Sequence, residues 1–562
     1  MAEKVIPIGI DDYKKLIEGN YYYVDKTLLI KELLDNCAEV NLFTRPRRFG
    51  KTLNLSMLRY FFEKSVDGTS CKYLFEDKKI QNEIGEYREY QEKFPVIMLS
   101  LKSGKQQKWS DALSMLKLEI TKEYLRHDYV LNHIEQESEK RKFQSVIDGT
   151  ADDNVWLEGL AFLSRCLEHY HKQKVIILID EYDVPLENAY YCGFYKEMTG
   201  FIRSLFETAL KSNSSLKFAV ITGCLRISKE SIFTGLNNLD IISVLNVVYS
   251  EHFGFTQSEL DEMLEYYDLK EKSTVFQEWY DGYVFGKTEI YNPWSVINYV
   301  KALRADKDAF PVEYWSNTSS NSIVKDLIAK ADTTIQSELE ALIRGESIEK
   351  VIHEDITYED VHESKENLWN FLYFTGYLKA IEIKMVEDDR VAVLKIPNRE
   401  VRKIYRQQII NWTRHTIQKK DLSILFQAVL EGDAVKLQTE LSPLLVNSIS
   451  YMDNYENFYH GFILGILMNL DGYKVTSNRE AGDGRHDISI EGYDGLHTPV
   501  IIEFKVANKR PQLEEAVEKA LTQIREKHYD APFIEDGYEQ CIHIGIGFYK
   551  KMCRVKCQMV QF

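Results

Sequence analysis

The chain has 562 residues, room for three or four domains of ordinary size. Its net charge of −17 opposes indiscriminate nucleic-acid binding but leaves room for a local basic groove. No run reaches the roughly 18 apolar residues of a membrane span, no stretch near the N-terminus looks like a signal peptide, and the eight cysteines are scattered without a Cys-x-x-Cys pair. The expectation is therefore a cytoplasmic protein with reduced cysteines and no membrane contact.

Residues 1–250 alternate short apolar runs with amphipathic helical patterns. Buried strands are predicted at Val40–Thr44, Val96–Leu99, Val175–Ile179 and Phe218–Thr222, with helices such as Leu53–Lys64 and Asp111–Leu125 between them. This alternation reads as a parallel α/β sheet. The first strand runs into Arg45-Pro46-Arg47-Arg48-Phe49-Gly50-Lys51-Thr52. Such a loop can cradle phosphate with backbone N–H groups at a helix start. Gly50 allows close approach, Lys51 reaches the β- and γ-phosphates, and the Thr52 hydroxyl ligates Mg²⁺. The position five before Gly50, usually Gly, is Arg45, so three arginines are expected to line the loop.

The strand Val175–Ile179 ends in Asp180-Glu181. In that place Asp180 is expected to hold the Mg²⁺ and Glu181 to polarise the attacking water. The next strand ends in Thr222, suited to sensing the γ-phosphate, and Arg226 follows, suited to stabilising the transferring phosphoryl in cis or across a subunit boundary.

With Val5-Ile6-Pro7-Ile8-Gly9, Tyr22–Thr27 and Ser228–Asn238, these stretches resemble the bacterial AAA-ATPase-like family, whose own P-loop form is Arg-Pro-Arg-Arg-Phe-Gly-Lys-Thr. The resemblance covers about the first 300 residues. It implies an ASCE-type P-loop ATPase fold that binds and hydrolyses ATP, with Asp25 and Lys26 near the nucleotide base.

Residues 251–440 read as mostly helical. The aromatic turns Trp279–Gly286 and Tyr291–Ser295 fit a lid over the nucleotide, with the aromatics packing rather than touching it. Asn367–Ala380 and Leu394–Tyr405 look like a small helical or winged-helix module, and Leu430–Leu441 like a connection.

Residues 441–562 open on a helix around Tyr455–Met468. A strand pair follows, then the helix Gln512–Tyr529 and a last strand near Ile542–Phe548. Asp487 precedes one strand, and Glu503-Phe504-Lys505 lies inside an apolar one, so Glu503 and Lys505 share a face. Burying such a pair is costly unless a divalent cation takes the carboxylates. Lys505 can then steady a phosphoryl oxygen or position the attacking water. The set resembles the PD-(D/E)xK nuclease superfamily. That resemblance adds Glu456 on the preceding helix and Gln523 on the following one, and puts Tyr529 at the edge of the site. Mg²⁺, or Mn²⁺, is the implied metal on Asp487 and Glu503. His460, Arg485 and His486 read as structural or phosphate-facing.

Two functions stay open at this point. One is an ATPase controlling a nuclease that acts on DNA, less readily RNA. The other is a nucleotide switch whose last domain only binds nucleic acid or a partner. A homo-oligomer is compatible with both.

Overall fold

The computed structural model describes residues 3–562 apart from 84, 227–231, 234, 316–332, 355–364, 406–421, 449–455, 468–469, 478–479 and 482–483. The chain forms two compact units, residues 1–327 with 345–404 and residues 328–344 with 405–562.

The first unit is built on five strands: β1 (Val40–Thr44), β2 (Val96–Ser100), β3 (Val175–Asp180), β4 (Leu216–Gly223) and β5 (Leu239–Ile242). All run parallel in the order β2-β3-β4-β1-β5. Every residue of β1 and β3 is buried, as a sheet covered on both faces demands. The phosphate-loop strand β1 and the acidic strand β3 are not neighbours. β4 lies between them, with Phe43 opposite Thr222 and Ile179 opposite Ile221. Parallel order therefore brings three strand ends to one edge.

The helix after β1 spans Lys51–Phe62, two residues ahead of the expected Leu53. Gly50 stands at its N-cap with φ 82°, a conformation that favours glycine. The helix Gln257–Tyr266 opens on a capping box between Thr256 and Glu259. With Ser273–Tyr280 and Pro293–Ala305 it encloses a core containing Leu260, Phe276, Tyr280 and Tyr299.

The middle of the chain holds more strand than its sequence suggests. A hairpin joins β6 (Tyr283–Phe285) to β7 (Thr288–Ile290). A three-stranded antiparallel sheet follows, formed by β8 (Ile348–Val351), β9 (Lys379–Val386) and β10 (Asp389–Lys395) in the order β8-β10-β9. β9 alternates apolar and charged residues over Ile381–Met385, a strand period that the helical reading of this region passed over, although much of the strand is solvent-exposed.

In the second unit the stretch read as a connection is helical instead. Ser423–Glu431 and Ala434–Ser448 are helices, and Leu437, Leu441, Leu444 and Leu445 are buried at helical spacing. The helix Glu456–Leu467 precedes β11 (Tyr473–Ser477). The short hairpin β12 (Glu480–Ala481) and β13 (Gly484–Arg485) leads to β14 (Ile488–Gly492), β15 (Val500–Val506), β16 (Gln540–Tyr549) and β17 (Met552–Gln561). The main sheet runs β11-β14-β15-β16-β17, with β15 and β16 parallel. β17 follows what the sequence suggested was the last strand. Only Cys553 and Val555 of its ten positions are buried, and Arg554, Lys556, Gln558 and Gln561 interrupt it, so it lacks an apolar run.

The crossover helix Leu513–Glu526 lies directly on β16. A Cβ on Gly545 would meet Leu521 Cγ at 2.8 Å and the Val517 carbonyl at 2.9 Å; one on Gly547 would meet the Leu513 carbonyl at 2.8 Å. Two glycines two residues apart thus let this helix, which carries Gln523, sit close to the sheet. Among the described residues no helix is long and apolar enough to cross a membrane.

Candidate active sites

At the carboxyl edge of the parallel sheet, Asp180 is held from both sides. Thr52 Oγ1 donates to Asp180 Oδ2 at 2.7 Å, and Thr222 Oγ1 donates to Asp180 Oδ1 at 2.5 Å. Residues far apart in sequence meet because β4 lies between β1 and β3. Lys51 Nζ donates to the carbonyls of Arg45 (2.8 Å) and Pro46 (2.9 Å), folding the ammonium back over its own loop. Thr52 and Asp180 together form a pair of hard oxygen donors, the type a magnesium ion accepts.

Glu181 follows directly, with φ 51°, an uncommon conformation for a side-chain-bearing residue. Burial and the neighbouring Asp180 carboxylate push its carboxyl upward, against the pull of Lys102 and Lys51. A carboxylate raised in this way is the better proton acceptor at neutral pH.

The arginine-lined loop needs correction at Arg45. Its side chain is fully buried and turned away from the loop surface, donating to the carbonyls of Thr44 (3.0 Å) and Ile242 (2.9 Å). Its guanidinium lies against the rings of Phe253 and Phe285, 5.3 and 5.0 Å from their centroids. Its N–H is spent on the Gly223 carbonyl. Arg45 therefore anchors the loop to β4 and β5, where a glycine would leave a void. Phe49 is equally buried, packed on Tyr283 and Phe285. Pro46 is buried against Gly376, where a Cβ would come within 3.0 Å of it.

Arg47 pairs with Glu187, and its carbonyl accepts from Trp315 Nε1 at 3.3 Å. Arg48 is exposed, 4.4 Å from the Trp294 ring centroid. The aromatics of the middle region thus brace the phosphate loop by packing on it.

Arg226 donates to Glu354 Oε2 at 3.3 Å, and Glu354 Oε1 accepts from Ser243 Oγ at 2.5 Å. Glu354 carries no sequence signal. Asp183 was also missed. It is buried, and its Oδ2 accepts from the N–H groups of Cys224 (2.7 Å) and Leu225 (3.2 Å), shaping the turn that leads to Arg226. Its place three residues after Asp180 was the available clue. Asp25 and Lys26 are both engaged in the fold: Asp25 binds Thr27 and the Lys79 N–H, and Lys26 Nζ binds Glu259 and the Glu251 carbonyl. Several residues of Ser228–Asn238 lie outside the described residues.

In the second unit Asp487 and Glu503 face each other across β14 and β15, beside the pair Ile488–Ile502. Asp487 Oδ2 accepts from the Phe504 N–H at 2.8 Å, and Glu503 Oε2 accepts from the Asp487 N–H at 3.3 Å. Lys505 Nζ donates to Glu503 Oε1 at 3.1 Å and to the Phe504 carbonyl at 2.8 Å. Phe504 points to the opposite face, in the core with Tyr459 and Phe548. Glu503 is 2 % exposed. Burial first and Asp487 second push its carboxyl up to about 7, with Lys505 pulling it down. Two close carboxylates opposed by Lys505 form a donor set that a divalent cation fits.

Gln523 Nε2 donates to the Tyr529 hydroxyl at 3.1 Å. The Tyr529 phenol is raised, by burial first, with Glu503 and Asp487 adding to the rise. Tyr529, with Gln523 bonded to it, therefore lies within electrostatic reach of both carboxylates. His460 Nε2 lies 2.9 Å from both the Asp487 carbonyl and Ser477 Oγ, and His486 packs edge-on against Tyr529. Both histidines brace the segment carrying Asp487. Glu456 begins its helix, and its side chain, like that of Arg485, lies outside the described residues, as do Gly482 and Asp483.

Residues 7–233 match the family described as predicted AAA-ATPase, and residues 454–558 match the PD-(D/E)XK nuclease superfamily. The chain carries an AAA-ATPase-like domain and a PD-(D/E)XK nuclease-superfamily domain. Its likeness to an uncharacterized protein in the vnfD 5′ region of Azotobacter chroococcum mcd 1 is 25 % identity over 541 residues, covering 94 % of this chain and 93 % of that one. That span takes in both the AAA-ATPase-like and the nuclease-superfamily segments.

Proposed function

We propose that the AAA-ATPase-like domain binds and hydrolyses ATP and thereby regulates a metal-dependent phosphodiesterase in the nuclease-superfamily domain, acting on DNA in preference to RNA. The observation that carries this reading is the pair of backbone hydrogen bonds, Phe504 N–H to Asp487 Oδ2 and Asp487 N–H to Glu503 Oε2, that hold the two carboxylates with Lys505 on Glu503, in a chain whose other unit fixes Asp180 between Thr52 and Thr222.

Thr52 and Asp180 would hold the Mg²⁺ that accompanies the triphosphate, and Asp487 and Glu503 a Mg²⁺ or Mn²⁺ at the second site; such ions neutralise phosphoryl oxygens and acidify water. Lys51 exchanges its loop carbonyls for phosphate oxygens. Glu181 takes a proton from the attacking water as the β–γ bridge breaks, and Thr222 senses the γ-phosphate. Arg226 supplies positive charge to the transferring group after leaving Glu354. In the second site Lys505 steadies the scissile phosphate or the attacking water, and Gln523 and Tyr529 border the substrate.

The test is cleavage of plasmid and oligonucleotide DNA and RNA with Mg²⁺ or Mn²⁺, with and without ATP. Wild type is compared with Asp487→Ala, Lys505→Ala and Lys51→Ala. The first two variants should lose cleavage and keep ATP turnover, while Lys51→Ala should lose turnover and any ATP effect on cleavage. A wild-type chain that hydrolyses ATP and cuts no nucleic acid would instead support a nucleotide-driven binding switch.

A further inference from the structure

We propose that β9 is a self-complementary edge strand through which two copies of this chain pair antiparallel, about a two-fold axis at Ile383. β9 ends its sheet: β10 lies on one side, and among the described residues no strand pairs with the other. Ile381, Ile383, Met385 and Val386 are 54, 43, 65 and 46 % exposed. Ile381 also lacks a partner on β10, where the register shifts. A long edge with alternating exposed apolar side chains is a template for another strand, and soluble proteins usually guard such an edge with charge.

The charges here favour a copy. The segment Ile381-Glu382-Ile383-Lys384-Met385 is pseudo-palindromic in chemistry. With Ile383 facing its own copy, each Glu382 lies opposite a Lys384, and each Ile381 opposite a Met385. Residues directly opposite in an antiparallel pair share a face. One face then gathers the two Ile383 and two Met385 side chains, with the bulged Ile381 at each end, and the other holds two reciprocal ion pairs. Lys384 already reaches Glu349 at 2.9 Å, so in the pair it lies between two carboxylates.

Neighbouring registers are disfavoured. A two-residue shift one way sets Glu382 against Glu382, and the other way Lys384 against Lys384. A one-residue slip sets charge against isoleucine. The contact is isologous and closes at two copies, joining two three-stranded sheets into one of six strands.

The test is the oligomeric state of the full chain by sedimentation equilibrium at tens of micromolar. Wild type should be a dimer. Glu382→Lys and Lys384→Glu should each weaken it roughly tenfold or more, because two attractive pairs become repulsive. Mixing these two variants should give a one-to-one heterodimer, and the double swap E382K/K384E should restore the homodimer. Ile383→Lys should be monomeric, with ATP turnover retained as the check on folding. A monomeric wild type, a dimer indifferent to the single swaps, or a mixture that stays unpaired would overturn the proposal. The first of these outcomes would leave the edge to a different partner.

Discussion

Replacing Glu503 by Gln should make the nuclease-superfamily domain more stable at pH 8 while ending its chemistry. The folded state holds the Glu503 proton up to about pH 7, against an ordinary 4.5. A folded state that binds a proton more tightly than the unfolded chain is favoured at low pH. That advantage is complete below pH 4.5 and is lost as pH rises through 7. At roughly 1.4 kcal/mol for each tenfold change, the ionised carboxylate costs about 3 kcal/mol above that window. Gln is the uncharged isostere, keeps a partner for Lys505, and never ionises. In a chelator, the melting transition of the C-terminal unit should therefore rise by roughly 5–10 °C at pH 8 and scarcely move at pH 4. Scanning calorimetry of the full chain reads this directly. Millimolar Mn²⁺ should narrow the gap, because it stabilises only the wild-type carboxylate pair. A Glu503→Gln chain that melts no higher than wild type at pH 8 in chelator would refute the electrostatic account of the site.

Glu181→Gln should bind ATP with near-normal affinity and turn it over about 10²–10⁴-fold more slowly, read by nucleotide titration and phosphate release. Unchanged turnover would assign the water to another residue. Gly545→Ala should destabilise the second unit by about 1–3 kcal/mol in urea unfolding, because its Cβ meets a helix backbone carbonyl that cannot step aside. Phe49→Ala should lower the stability of the first unit by about 3–5 kcal/mol and weaken ATP binding with it, since the ring anchors the loop to Tyr283 and Phe285.

Local chemistry carried the strands and the acids. β1 to β4 are short apolar runs, and their bounds fall within two residues of those read from hydrophobicity alone. Glu503 and Lys505 share a face because strands alternate, and the structure sets them 3.1 Å apart. β9 and β17 escaped the same reading for one reason. Neither is a continuous apolar run: β9 alternates apolar with charged residues and β17 mixes them, and the pairing of both depends on neighbours distant in the chain.

The residues Lys51, Thr52, Asp180 and Glu181, and likewise Asp487, Glu503 and Lys505, stand out in one dimension because the phosphate and metal chemistry proposed for them restricts the side chains that could serve it. Their company does not. Glu354 meets Arg226 across 128 positions, Thr222 reaches Asp180 only because β4 was inserted between β1 and β3, and Arg45 turned inward to two aromatic rings. Burial, strand order and hydrogen-bond satisfaction are properties of the packed chain. Sequence can name the candidate groups; only folding in three dimensions chooses what holds them.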